Sequence, residues 1–66
     1  MTMKVRDVIR LLEEHGWQHK RTRGDHRQFT KPGMRAVVTV PGRLGDDLQP
    51  ETLASVLRNS GLKGTV

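Results

Sequence analysis

The segments "VIRLLEEHGW" (Val8 to Trp17) and "TLASVLRNSGL" (Thr52 to Leu62) stop in the same way. A leucine is followed four residues on by glycine and then by a large apolar residue, Leu12, Gly16 and Trp17 in one and Leu57, Gly61 and Leu62 in the other. Glycine at that place takes the left-handed conformation that ends a helix, and the apolar residue after it folds back on the last turn. Two such stops demand two helices. Upstream of the first, Val5, Val8, Ile9 and Leu12 recur at helical spacing, which predicts an amphipathic helix over Lys4 to His15. Thr2 is the capping residue available at its start, and Asp7 suits the positive end of its dipole. The second helix is predicted over Pro50 to Ser60, with Pro50 at the first helical position, Leu48 and Leu53 at staple spacing, and Leu53, Val56 and Leu57 as its buried stripe.

Between the stops the hydrophobic period changes from helical to two. "HRQFT" and "AVVTV" read as the strands of a hairpin joined by "KPGMR", whose Pro32 and Gly33 match the centre of a turn. The less apolar "WQHKRTR" reads as an edge or adjoining strand that meets the hairpin at Gly24, and "PGRLGDD" as a loop into the second helix. The expected class is α+β. Its order is α-β-β-β-α, a two-layer arrangement in which two helices cover one face of a three-stranded antiparallel sheet. Phe29 and Trp17 belong in the core, so strand alternation sends His26 and Gln28 to the open face. Arg27 then shares the side of Phe29, unless it lies near the sheet edge and reaches out to water.

A chain of 66 residues with no cysteine must be held by that packing alone, and chains of this size bury only about 60% of their unfolded surface. One domain over 1–66 is expected, with 63–66 a tail that little holds in place. The alternation of charged and apolar residues in "MTMKVRDVIR" is not a secretion signal, and no stretch approaches the length of a membrane span. A cytoplasmic protein with no membrane partner is expected. The formal charge of +5 is concentrated: Lys20, Arg21, Arg23, Arg27, Lys31 and Arg35 crowd the segment from Gln18 to Arg35, opposed there only by Asp25. Elsewhere six basic and six acidic residues balance. Such a field attracts a polyanion, of which nucleic acid is the commonest inside cells, or an acidic protein.

Several chemistries find no residues to perform them. His15 and His19 are four apart, but Gly16 breaks the helix that would align them, and Asp46 and Asp47 suit a helix dipole, so no metal is expected. There is no cysteine nucleophile, no serine in a strained elbow, and "GRLG" has neither the length nor the lysine of a phosphate-binding loop. No cofactor is implied. Trp17 and Phe29 are better used as core than as base-stacking platforms, which leaves backbone phosphate and shape as the means of binding RNA. The element order matches double-stranded RNA-binding domains, yet "PETLA" lacks the lysines that open their second helix. His26 among arginines remains. Histidine titrates near neutral pH and can act as base or acid in RNA cleavage, while Lys20, Arg21, Arg23 and Arg27 offset phosphate charge. From the residues alone it reads more readily as a solvated strand side chain, in a non-catalytic RNA-binding module or beneath a protein partner.

"VIRLLEEHGW", "RGDHRQF", "VVTVP" and "LQPETLASVLRNSGL" occur in the order and spacing of the HicA toxin family, and the resemblance covers nearly the whole chain. It implies a fold like that of double-stranded RNA-binding domains and an mRNA interferase, an endoribonuclease that cuts single-stranded regions of messenger RNA. It also implies an acidic antitoxin of the HicB type as partner. The family's essential histidine follows a glycine and a serine, so Gly24 and His26 match and the catalytic role passes to His26, with Lys20, Arg21, Arg23, Gly24 and Arg27 at the RNA. Two positions depart from the pattern. Asp25 replaces the serine, where it either hydrogen-bonds His26 or repels a phosphate, and Gly42 stands after Pro41 where many members carry histidine or another polar residue.

Overall fold

The computed structural model describes residues 3–64, and Thr2 and the last two residues of the expected tail lie outside them. Its elements follow the expected order: α1 (Val5–Glu14), β1 (Gln18–Arg23), β2 (His26–Thr30), β3 (Val38–Val40) and α2 (Pro50–Ser60). The sheet is antiparallel with β2 in the middle. The third strand is shorter than "AVVTV" suggested. After the turn closed by the Met34 N–H on the Lys31 carbonyl, at 3.0 Å, pairing resumes only at Val38.

Both helices end as their sequences require. The Gly16 N–H donates to Glu13 O and the Trp17 N–H to Leu12 O; Gly61 and Leu62 repeat this on Arg58 and Leu57. Gly16 and Gly61 have φ of +91° and +76°, values at which a side chain is strained. The start of α1 was not legible in the sequence. Lys4 occupies the cap position without a side-chain bond, and carbonyls of the β3–α2 loop serve instead: Val5 N–H donates to Asp46 O at 2.8 Å and Arg6 N–H to Leu44 O at 3.1 Å. Two of the four N–H groups that a helix leaves unpaired at its start are thereby satisfied. A bond from Leu48 N–H to Met3 O and an ion pair of Lys4 with Asp47 at 3.4 Å tighten the same strap.

Val5, Val8 and Leu12 of α1, Leu53 and Val56 of α2, and Phe29, Val38 and Val40 of the sheet form one buried cluster with Trp17, Leu48 and Leu62. Phe29 pairs with Val38, and two residues along Arg27 pairs with Val40, so these four side chains share the helix-covered face. Leu48 and Leu53, the staple pair, are both buried. Among the described residues the other face of the sheet carries no helix. β1 is exposed along its whole length, whereas β2 and β3 place Phe29, Val38 and Val40 in the core beneath the helices.

Candidate nucleic-acid interface

The site is built around the two-residue turn Gly24-Asp25. Gly24 has φ of +61° and Asp25 does not share the left-handed conformation, the combination of a type II′ turn, whose twist matches that of the strands it joins. The turn is closed by Arg23 opposite His26, which places both on one face. Moving away from it, Thr22 opposes Arg27 and Arg21 opposes Gln28, yet His19 opposes Phe29. Lys20 is thus an extra residue, a β-bulge that changes the parity of β1. His19 and Thr22 consequently lie on the same, helix-covered side, where His19 Nε2 and Thr22 Oγ1 are 2.7 Å apart and the His19 ring meets Phe29 edge-on. Arg21, Arg23, His26 and Gln28 share the open face.

His26 is 56% exposed at its side chain, and its Nδ1 lies 2.9 Å from Oδ1 of Asp25, itself 62% exposed. A carboxylate only accepts, so a neutral ring that bonded to Asp25 would do so with its proton on Nδ1, which would leave Nε2 as the open nitrogen. Of the two readings left open for Asp25, the structure shows a close contact with His26 and leaves its effect on a phosphate open.

The predicted phosphate ligands divide. Lys20, Arg21, Arg23 and the turn residue Gly24 are exposed, with the two arginines on the face of His26. Arg27 is on the opposite face and half-buried, and its Nη1 donates to the Gly42 carbonyl at 2.8 Å. Gly42 has φ of +94°, and a Cβ there would sit 3.4 Å from Val5 Cγ2, so the position that is polar in many relatives is here a backbone corner held by Arg27. Asp46 and Asp47, expected to serve the dipole of α2, make other contacts: Asp46 Oδ2 accepts from the Arg43 N–H, and Asp47 pairs with Lys4. Asp25, Asp46 and Asp47 border one cleft of about 240 Å³ together with Pro41 and Gly42. The surroundings of His26 are therefore polarised, cationic toward β1 and acidic toward the β3–α2 loop.

The bulge and the Arg27 clamp escaped the sequence reading. Gly-Asp between two β-forming runs is a two-residue turn signal, and taken with a buried Phe29 and Trp17 it requires one extra residue in β1. The wholly polar "QHKRTR" does not itself reveal which residue that is.

A family model described as the HicA toxin of bacterial toxin-antitoxin matches residues 5–62, from the first residue of α1 to the apolar residue that closes α2. The chain belongs to the HicA toxin family. It is accordingly a toxin of a toxin-antitoxin system, and membership implies an antitoxin partner. Among curated proteins no match is found. No helix among the described residues is long and apolar enough to cross a membrane. The matched region of this HicA-family chain contains the Gly24-Asp25-His26 turn, the arginines of β1 and the Gly42 corner.

Proposed function

We propose that this toxin is an endoribonuclease that cleaves messenger RNA in the cytoplasm, with His26 moving a proton and Lys20, Arg21 and Arg23 holding the phosphate backbone. The observation that carries the reading is an exposed imidazole on the open sheet face beside two arginines. Cleavage of RNA by its own 2′-hydroxyl needs a proton acceptor and positive charge near phosphorus, and those groups provide both without a metal. Gly24 supplies the turn that sets Arg23 opposite His26. Arg27 adds to the cationic field, but its hydrogen bond to Gly42 makes it a support of the loop rather than a phosphate contact.

The same exposed face suits inhibition. An acidic antitoxin of the HicB type, seated on Arg21, Arg23 and His26, excludes RNA by occupying its place, so toxin in the complex should not cut. His26→Ala is the decisive variant. It should abolish cleavage of a labelled transcript and toxicity in cells while leaving thermal stability and most RNA affinity intact, since the ring is exposed and its loss opens no cavity. Undiminished cleavage would remove His26 from the chemistry. A wild-type protein that binds the transcript without cutting it would be a binding module instead.

A further inference from the structure

Resting on the nuclease reading above, we propose that Asp25 is a positioning residue that commits His26 to the role of general base, acting through Nε2. Four features point this way. The carboxylate is adjacent in the chain, in a turn whose geometry Gly24 fixes, and it meets Nδ1 at 2.9 Å. As an acceptor it keeps the proton on Nδ1 and leaves the Nε2 lone pair to face the substrate. Its negative charge compensates the imidazolium formed when Nε2 takes a proton, which assists a base and holds back an acid. Finally, the other charged side chains opposite and beside the ring on the open face, Arg23 and Arg21, repel an imidazolium, so Asp25 is the one neighbour on the turn that offsets their effect.

The 2′-hydroxyl gives its proton to Nε2, the 2′-oxygen attacks phosphorus, and the bond from phosphorus to the 5′-oxygen breaks. The departing 5′-oxygen takes a proton from solvent water. The products are a 2′,3′-cyclic phosphate and a 5′-hydroxyl end.

The hydroxyl of the serine found in relatives cannot supply the charge, which makes the arrangement a property of this chain's Asp25. It also separates two effects that act in opposite directions. A carboxylate that merely repelled phosphate would slow the enzyme, and Asp25→Asn would then lower KM and leave kcat the same or higher. A positioning carboxylate gives the reverse in kcat: Asp25→Asn and Asp25→Ala should lower kcat about tenfold or more, at the lower end of what proton-transfer catalysis contributes, with KM unchanged or reduced. Asp25→Glu should recover part of the loss.

The test that does not depend on activity is the tautomer of neutral His26, read from the nitrogen shifts of the ring in a long-range proton–nitrogen NMR spectrum of the free protein. The wild type should show the Nδ1–H form as the majority, and Asp25→Ala should shift the ring toward Nε2–H. A wild-type ring protonated mainly on Nε2, or an Asp25→Asn enzyme with full kcat on a labelled unstructured transcript, would overturn the proposal. His26→Ala separates the two levels. If it still cuts, the nuclease assignment falls whatever the tautomer; if it is inert while Asp25→Asn is fully active, only the role given to Asp25 falls. Transcript ends that carry a 3′-phosphate from the outset, with no cyclic intermediate at early times, would likewise exclude a base acting on the 2′-hydroxyl.

Discussion

Arg27 separates the two uses of a cation in this protein, and Arg27→Met tests the division. Methionine keeps an unbranched apolar stem of similar reach, so the packing of the half-buried side chain is largely retained and the guanidinium alone is lost. What disappears is one hydrogen bond of 2.8 Å from a charged donor to the Gly42 carbonyl. Bonds to charged groups contribute about 1.5–3 kcal/mol net, and partial exposure of this one argues for the bottom of that range or just below it, about 1–2 kcal/mol. Domains of 60–100 residues lose about 4–8 °C in Tm per kcal/mol, so the variant should melt about 5–15 °C lower. Thermal unfolding by circular dichroism gives that number, and RNA binding measured against salt gives the other half of the test. A contact to phosphate in a single strand contributes about 0.7 to the logarithmic salt slope. Arg27→Met should leave the slope unchanged at temperatures where the protein is folded. An unaltered Tm with a slope reduced by the amount of a phosphate contact would show that the clamp to Gly42 is incidental and that Arg27 belongs at the RNA.

Arg21→Met and Arg23→Met should behave in the opposite sense, each reducing the salt slope by about 0.7 with Tm nearly unchanged, because both side chains are exposed on the open face; isothermal titration at several salt concentrations checks this. Phe29→Ala should leave the protein largely unfolded at 37 °C. Phe29 is 1% exposed in the centre of the cluster, its truncation costs about 3–5 kcal/mol, and at about 0.05–0.15 kcal/mol per residue a chain of 66 residues has only about 3–10 kcal/mol to lose. Far-ultraviolet circular dichroism at 37 °C reports it directly.

The parts of the fold that rest on side-chain periodicity were open to reading from residues alone. Val5, Val8 and Leu12, the paired glycine stops, and the Leu48 and Leu53 staple each state a local rule that the packed structure obeys. Features that depend on which backbone groups meet across the chain were not. Nothing in Lys4, Val5 or Arg6 announces that Asp46 and Leu44 carbonyls cap α1, and the positive φ of Gly42 becomes meaningful only when Arg27 is seen to grip its carbonyl. In the site, His26 was placed on the open face by alternation from Phe29, a short and reliable count. Arg21 and Arg23 could not be counted the same way, since β1 is all polar and contains a bulge.

That bulge decides what surrounds His26. Had β1 continued without interruption from the His19 and Phe29 pair, Lys20 would oppose Gln28, Arg21 would oppose Arg27, and Thr22 would oppose His26. Two arginines would then repel each other on the helix side, and the imidazole would have a threonine for its neighbour. One additional residue moves Arg21 and Arg23 together onto the open face. Deleting Lys20 tests this logic without breaking it, because the two-residue turn fixes the register from Arg23 and His26 outward, and removal of the unpaired residue lets the ladder run on regularly to His19. The deletion should therefore fold with Tm equal to or above that of the parent, keep Arg21 and Arg23 on the face of His26, and lose RNA affinity only to the extent of one cation. Nuclear Overhauser contacts between the α-protons of facing residues report the register. Collapse of the fold, or pairing of Arg21 with Arg27, would mean that the helix-side contacts of His19 and Thr22, and not the Gly24-Asp25 turn, set the alignment of β1.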